Sequence, residues 1–111
     1  METKPVINVI ATQCQPEDEE KFNRWYDERH IPLLLKFKGL KEATRYKIIS
    51  ETDEYPKYLT IYKFDSQKDY EEYQVSPEYA AAIEEMRESW GESGFELKWH
   101  VPYETMKTWK Q

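Results

Sequence analysis

The sequence has little of what several common classes of protein require. Its single cysteine, Cys14, excludes an intrachain disulfide and a cluster of cysteine metal ligands. It has only three glycines, and it shows no glycine-rich phosphate loop and no serine or cysteine nucleophile motif. No apolar run is long enough for a signal peptide or for a membrane span of about 20 residues. We therefore expect a protein of the reducing cytoplasm that does not enter a membrane.

Positive charge is also scarce, with 16 Lys and Arg against 22 Asp and Glu and a formal net charge of -6. No basic run offers a surface for phosphates, so nucleic acid is not an expected partner. The two histidines, His30 and His100, stand far apart in the sequence, and the carboxylates fall mostly on predicted solvent faces. The sequence therefore predicts no metal site.

Aromatic residues, in contrast, are abundant at 15% of the chain, and the segment Glu17–Phe37 is organised around them. One helix face carries Phe22, Trp25, Tyr26, Arg29, His30, Leu33 and Phe37. Because Pro32 lacks an amide hydrogen and its ring crowds the preceding turn, we expect this helix to end or kink near His30–Ile31. His30 would then lie at a helix end. On an ideal helix, however, Arg29 falls nearer the centre of the apolar stripe.

The remainder of the chain alternates between strands and helices. Strands are predicted over Val6–Cys14, Leu40–Glu51, Lys57–Phe64 and Gly94–Tyr103. The first helix is predicted from Gln15 to Phe37 with its break, and the second helical region from Ser66 to Gly91, restarting at Ser76. The first and third strands are apolar on both faces, which is typical of central strands, and the other two alternate as edge strands do. Residues 1–111 are expected to form a single domain, with 104–111 as a short tail.

The order β-α-β-β-α-β predicts an α+β fold of the ferredoxin-like type, with a four-stranded antiparallel sheet and two helices on one face. The uncovered face of that sheet would carry a large apolar patch. Packing against a second copy of the chain would bury this patch, so we expect a symmetric homodimer. Alternation along the strands defines two sets of residues but does not decide which set meets the helices.

The run FNRWYDERHIPLLLKFKGLKEATRYKI, Phe22–Ile48, combines a first helix ending in Tyr-x-x-x-His-x-Pro with a Gly before an Arg-Tyr strand. It resembles EthD-like proteins of the dimeric α/β-barrel superfamily. Relatives there include cofactor-independent monooxygenases, aromatic polyketide cyclases and decarboxylases, muconolactone-isomerase-like enzymes and haem-degrading enzymes. Membership therefore does not name a reaction.

The resemblance implies a ligand pocket inside each subunit, between sheet and helices, with the end of the first helix at its mouth. Carried over by position, it implies a cavity surrounded by Trp25, Tyr26, Arg29, His30 and Leu34, with Asn8 or Tyr62 on its sheet wall. The expected ligand is a small apolar or aromatic molecule, and no cofactor is expected. Asn8 is similar to a first-strand Asn of haem-degrading relatives. We discount haem because Trp and His here lie on the first helix.

The roles of these residues have alternatives that the sequence leaves open. His30 either takes and gives a proton or caps the broken helix, and Tyr26 either orients a ligand oxygen or packs in the core. Arg45 either counters an anionic ligand or pairs with a carboxylate across the sheet. Trp25 is expected to pack, and His100 is expected at the surface or the dimer interface.

Three functional hypotheses follow. The first is a cofactor-independent enzyme in which His30 is the acid or base and Tyr26 an orienting hydrogen-bond donor. It requires a cavity that reaches His30. The second is a non-catalytic dimeric module that binds a small molecule or serves in stress, and the third is a purely structural homodimer.

Overall fold

The computed structural model describes residues 4–91 and 94–111. In chain order the elements are β1 (Val6–Cys14), α1 (Glu19–Trp25), α2 (Ile31–Leu34), β2 (Leu40–Lys47), β3 (Tyr58–Phe64), α3 (Gln67–Gln74), α4 (Pro77–Trp90) and β4 (Phe95–Glu104). A 3-10 turn, Pro16–Asp18, precedes α1, and a π turn, Tyr26–His30, joins α1 to α2. None of the helices in the described residues has the length and apolar character needed to cross a membrane.

The strands form one four-stranded antiparallel sheet in the order β2-β3-β1-β4. The predicted ferredoxin-like α+β fold is confirmed, and so are the central positions of β1 and β3. Strand β2 ends at Lys47, earlier than the predicted end at Glu51. The second helical region is divided into α3 and α4 as expected, with the side chain of Ser76 accepting a hydrogen bond from the backbone N–H of Tyr79 at the start of α4.

Cross-strand pairing decides which residues face the helices. Asn8 lies opposite Tyr62 of β3 and Pro102 of β4, and directly opposed residues of antiparallel strands share one face. We call the face that meets the helices the inner face and the opposite one the outer face. The buried inner-face residues of β1 and β3 are Val6, Asn8, Thr12, Tyr58, Thr60, Tyr62 and Phe64.

The pairing of β1 with β4 shifts register between Ala11 and Thr12, so the alternation of β4 side chains between the two faces changes phase at that point. Ala11 pairs with Trp99 whereas Thr12 pairs with Leu97, so Lys98 is an extra residue on β4. The predicted uniform alternation of β4 is therefore wrong. Residues Phe95, Leu97 and His100 belong to the inner face, and Trp99, Val101 and Tyr103 to the outer face.

The helical segment 16–34 continues through Pro32, so the predicted end of the helix near His30–Ile31 is wrong, but the predicted irregularity is present as a π turn that finishes at His30. His30 and Ile31 both have right-handed helical backbone angles, and Pro32 occupies the first turn of α2. The N–H of Ile31 donates to the carbonyl of Tyr26, five residues earlier. This wider turn makes room for the proline ring, which would clash with the carbonyl four residues back in a regular α-helix.

Two clusters of buried side chains join the helices to the inner face. One consists of Val6, Leu34, Leu40, Tyr62, Phe64, Tyr70, Tyr73 and Ala82. The other consists of Phe22, Trp25, Tyr26, Tyr58 and Trp90. Members of both clusters, among them Leu34 and Tyr26, line a cavity between the helices and the sheet.

Candidate functional site

The cavity has a volume of about 280 Å³ and lies at the small end of the range typical of ligand sites. Its sheet wall is formed by Asn8, Ile10 and Thr12 of β1 and by Phe95, Leu97 and His100 of β4. Its helical wall is formed by Tyr26, His30, Leu34, Tyr70, Tyr73, Gln74, Tyr79, Ile83, Met86, Trp90 and Gly91. Most of this surface is apolar, with polar groups at a few separate points.

His30 is turned toward the cavity by the π turn. The extra residue in that turn rotates the following side chains, so that His30 is 7% exposed whereas the side chain of Arg29 is 70% exposed. The imidazole stacks on Trp25 with ring centroids 4.7 Å apart and meets Tyr26 edge-on at 5.1 Å. The π turn thus decides which of the two neighbours faces inward.

The imidazole of His30 is uncharged at neutral pH. Burial lowers its pKa from 6.5 to about 4, against the opposing influence of the Glu85 carboxylate. Nδ1 is buried and has no hydrogen-bond partner among the described residues. A neutral ring with a free nitrogen can accept a proton or a hydrogen bond.

Trp25 supports His30 from behind and does not line the cavity. Its Nε1 donates to Oε1 of Glu85 at 2.7 Å, which ties the indole to α4. Glu85 also accepts from the Ser89 hydroxyl, and Arg29 Nη1 lies 3.9 Å from Glu85 Oε2. The indole face is therefore fixed in place where the imidazole rests on it.

Tyr26 of the π turn and Tyr62 of β3 form a pair of buried hydroxyls between the helices and the sheet. Tyr62 is completely buried, and its hydroxyl donates to the hydroxyl of Tyr26 over 3.4 Å. Burial raises the pKa of both phenols, so both are protonated at neutral pH. Tyr26 lines the cavity, whereas Tyr62 lies behind it.

Arg45 lies on the inner side of β2 but is not part of the cavity wall. Its Nη1 donates to Asp27 Oδ1 at 2.9 Å and its Nη2 to Asn23 Oδ1 at 2.8 Å. The guanidinium also covers the ring of Tyr26, 4.6 Å from its centroid. Of the two predicted roles the structure shows pairing, with a carboxylate on the π turn rather than one across the sheet.

The predicted site residues divide into two groups. Asn8, Tyr26, His30 and Leu34 line the cavity, as the resemblance implied. Trp25, Arg29 and Tyr62, which the resemblance also placed around the cavity, do not line it, and Trp25 packs in the core as the sequence indicated. Trp25 and Tyr62 form a supporting layer, and Arg29 is carried into solvent by the π turn.

The sequence prediction missed several residues of the site. His100 is exposed, as expected, but it also lines the cavity, because the bulge at Lys98 reverses the faces of β4 and no local pattern indicates that bulge. Tyr79, Met86 and Trp90 form the predicted apolar stripe of α4, but a stripe looks the same whether it meets a packed core or a cavity. Within the described residues, no three His, Cys, Asp or Glu side chains form a group that could hold a metal ion.

The fold and the cavity together define a ferredoxin-like α+β protein with an internal pocket. The family described as a domain of unknown function, DUF4286, matches residues 6–100, and the chain belongs to that family. No curated protein matches the sequence.

Several solved structures share the fold. An ethyl tert-butyl ether D (EthD) family protein from Bacillus halodurans C-125 is 21% identical, with 91% of this chain and 99% of that chain covered and a TM-score of 0.68. A dimeric protein of unknown function from Bacteroides fragilis is 17% identical, with 91% and 96% covered and a TM-score of 0.62. SnoaB, a cofactor-independent oxygenase from Streptomyces nogalater, is 13% identical, with 100% of each chain covered and a TM-score of 0.59. The resemblance to EthD-like proteins is thus confirmed for the fold. Sequence identities this low are evidence for a shared fold but not for a shared function.

Proposed function

We propose that this protein is a cofactor-independent enzyme that acts on a small apolar or aromatic molecule in the cavity between sheet and helices. The reaction would be of the monooxygenase, decarboxylase or cyclase/isomerase type. One observation carries the proposal: His30 is buried and uncharged, it lines a cavity of about 280 Å³, and its Nδ1 has no hydrogen-bond partner among the described residues. A histidine that served only as a helix cap would have this nitrogen bonded to a backbone carbonyl.

In this proposal His30 takes a proton from an acidic C–H or O–H group of the ligand. The ligand is left as an enolate or oxyanion, and the imidazolium returns the proton to the product. Burial disfavours the imidazolium, and Glu85 offsets part of that cost. Tyr26 orients a ligand oxygen, since its hydroxyl accepts from Tyr62 and keeps its own hydrogen for the ligand. Trp25 holds the imidazole in position through its bond to α4.

The shared fold of SnoaB, which is a cofactor-independent oxygenase, supports this class of reaction without naming the substrate. The uncharged, ring-lined cavity suits the same kind of ligand. We keep the cytoplasm as the expected location, because a chain with Cys14 as its only cysteine shows no sign of adaptation to an oxidising compartment.

A thermal-shift screen of aromatic and polyketide-like compounds on the wild type and on His30→Ala tests the proposal. Compounds that stabilise the wild type are then incubated with each protein, and the products are analysed by mass spectrometry. We expect turnover by the wild type and its loss in His30→Ala. Glu28→Ala is the matched control, because Glu28 lies on the same turn as His30 and is exposed. Turnover that survives in His30→Ala would rule out His30 as the acid or base.

The alternative function is a non-catalytic dimeric module that binds a small molecule or serves in stress. The mostly apolar cavity wall is compatible with binding alone. In that case the ligand is recovered unchanged after incubation, and His30→Ala weakens binding with no turnover to lose.

We also propose that the protein is a homodimer formed through the outer face of the sheet. That face carries Ile7, Val9, Leu59, Ile61, Trp99, Val101 and Tyr103. Trp99 is 42% exposed and Tyr103 is 54% exposed, which is unusual for large rings on a strand. The relative from Bacteroides fragilis is dimeric, which supports the proposal.

A further inference from the structure

The cavity wall includes four tyrosines, Tyr26, Tyr70, Tyr73 and Tyr79. Tyr73 meets Tyr79 edge-on with ring centroids 5.1 Å apart. It shares contact with Phe64 with Tyr70, at centroid distances of 4.9 and 5.5 Å. Burial raises the pKa of Tyr73, and the phenols of the other three cavity tyrosines raise it further because they lie near its hydroxyl. Phenol hydroxyls are therefore concentrated around Tyr73.

The hydroxyl of Tyr73 is open to the cavity. Asn8 Oδ1, Thr12 Oγ1 and His30 Nδ1 are unpartnered polar atoms that the protein encloses completely, so a molecule in the cavity does not reach them. The Tyr73 hydroxyl also lacks a hydrogen-bond partner among the described residues, but it is not one of these enclosed atoms. It therefore keeps accessible surface. This surface faces the cavity, because Tyr73 lines the cavity and is only 2% exposed as a whole.

The ring of Tyr73 is held in place before any ligand enters. Phe64 lies against it at 4.9 Å, and Phe37 and Tyr79 meet it edge-on at 5.8 and 5.1 Å. Its backbone is fixed as well, since the carbonyl of Tyr73 accepts a hydrogen bond of 2.7 Å from the hydroxyl of Ser76. A hydrogen-bond donor that is already in position stabilises a developing negative charge without a cost of reorganisation.

We infer that Tyr73 is a catalytic residue of the proposed reaction and donates a hydrogen bond to the oxyanion that forms on the ligand. This inference rests on the proposed function, because it takes the same cavity and the same proton acceptor. It adds a residue that neither the sequence pattern nor the resemblance indicated. It also restricts the ligand to molecules whose acidic hydrogen lies next to a carbonyl group or belongs to a phenol.

The step balances without an oxidant or a further reactant. A C–H bond next to the ligand carbonyl breaks, its proton moves to His30, and its electron pair moves onto the carbonyl oxygen to form an enolate. Nε2 is the nitrogen that receives the proton, because Nδ1 is enclosed. Tyr73 donates its hydrogen bond to the enolate oxygen and keeps its proton, since its raised pKa makes it a weak acid. His30 then returns the proton to the product.

Ionisation of p-nitrophenol in the cavity tests the inference, because its anion is a stable oxyanion that absorbs visible light whereas its neutral form does not. The absorbance of the bound probe at a fixed pH gives the ratio of anion to neutral form. A hydrogen bond to a charged acceptor is stronger than one to a neutral acceptor. We therefore expect Tyr73→Phe to lower this ratio by about 5- to 10-fold.

Tyr58→Phe is the matched control for Tyr73→Phe. Tyr58 is also a buried tyrosine, but it does not line the cavity, and its hydroxyl accepts a hydrogen bond from Asn23. Tyr58→Phe should leave the ratio unchanged. Nitrobenzene is the matched probe, since it has the same ring without the hydroxyl, and Tyr73→Phe should not change its affinity.

Both substitutions keep the aromatic ring, and thermal unfolding of each variant checks that it is folded. Replacement of Tyr73 by 3-fluorotyrosine is a second test that does not depend on loss of the hydroxyl. Its phenol is a stronger donor of nearly the same size, so it should raise the ratio of anion to neutral probe.

Equal ratios in the wild type and Tyr73→Phe, equal effects of Tyr73→Phe and Tyr58→Phe, or no binding of p-nitrophenol at millimolar concentration would each overturn the inference. Turnover that depends on His30 would then still support the proposed function. Conversely, a ratio that depends on Tyr73 supports the inference even where His30→Ala retains turnover.

Discussion

His30 lies nearly flat against Trp25, with ring centroids 4.7 Å apart and an angle of 23° between the planes. The indole is itself bonded to Glu85 of α4, so the contact joins the π turn to the helix that covers it. The stacking holds the imidazole where it lines the cavity, with Nδ1 buried and without a hydrogen-bond partner among the described residues.

The stability of the protein should depend on pH through His30. Its pKa is about 4 in the folded state and near 6.5 in the unfolded chain, so the unfolded state takes up the proton first as the pH falls. The free energy of unfolding should therefore be highest above pH 6.5 and fall between 6.5 and about 4, by an amount of the order of 3 kcal/mol.

Urea unfolding at a series of pH values measures this dependence. His30→Phe keeps a ring on Trp25 but cannot bind the proton, so it serves as the reference. The difference in unfolding free energy between wild type and variant should be constant above pH 6.5 and become less favourable to the wild type below it. Parallel curves for the two proteins down to pH 4 would show that His30 is not held uncharged.

Both histidines should respond to a ligand in the cavity. The chain has only two, so proton NMR resolves their ring signals and His100→Gln assigns them. Addition of a compound that stabilises the protein in the thermal-shift screen should shift both signals, because His30 and His100 both line the cavity. A shift of the His30 signal alone would contradict the placement of His100 on the inner face.

Arg45 should stabilise the protein more than a surface arginine does. It bonds both Asp27 and Asn23, its side chain is only 17% exposed, and it covers the ring of Tyr26. Arg45→Met should therefore lower the free energy of unfolding by about 1–2 kcal/mol.

Arg24→Met is the control for that substitution, because Arg24 pairs with Glu20 at an exposed position of α1. It should change the free energy of unfolding by less than about 0.5 kcal/mol, as surface ion pairs usually do. Denaturant unfolding of both variants makes the comparison. Equal losses would indicate that the contacts of Arg45 contribute no more than an exposed pair.

The bulge in β4 allows a matched test of the proposed dimer. Trp99 and Leu97 are close neighbours on this strand, but Trp99 belongs to the outer face and Leu97 to the inner face. Trp99→Ala should weaken the dimer at least tenfold, since a large buried ring carries much of an interface. Leu97→Ala should leave the association unchanged. Sedimentation velocity over a range of concentrations measures both, and a wild type that stays monomeric throughout would exclude the dimer.

The sequence by itself determined the order of the elements and the positions of the strands in the sheet. Strands β1 and β3 are apolar on both faces, and a strand with two apolar faces is stable only in the middle of a covered sheet. The stripe of α4 and the two alternating sets of residues on β1 and β3 followed from the same periodicity, but the set that meets the helices did not. Asn8, Tyr26, His30 and Leu34 were placed at the cavity by the resemblance to EthD-like proteins.

Only the tertiary structure decided which way certain side chains point. These are the side chains whose direction depends on one extra residue in a helical turn or a strand. The π turn at Tyr26–His30 turns His30 inward in place of Arg29, and the bulge at Lys98 turns His100 inward. The bulge is set by the pairing of β4 with β1, which is distant in the chain, whereas the π turn is a local widening of the helix before Pro32 that the apolar stripe does not show. Periodic patterns assume that the register is unbroken. One extra residue reverses the faces of a strand, or rotates the side chains of a helix, beyond that point, although the local sequence pattern looks the same.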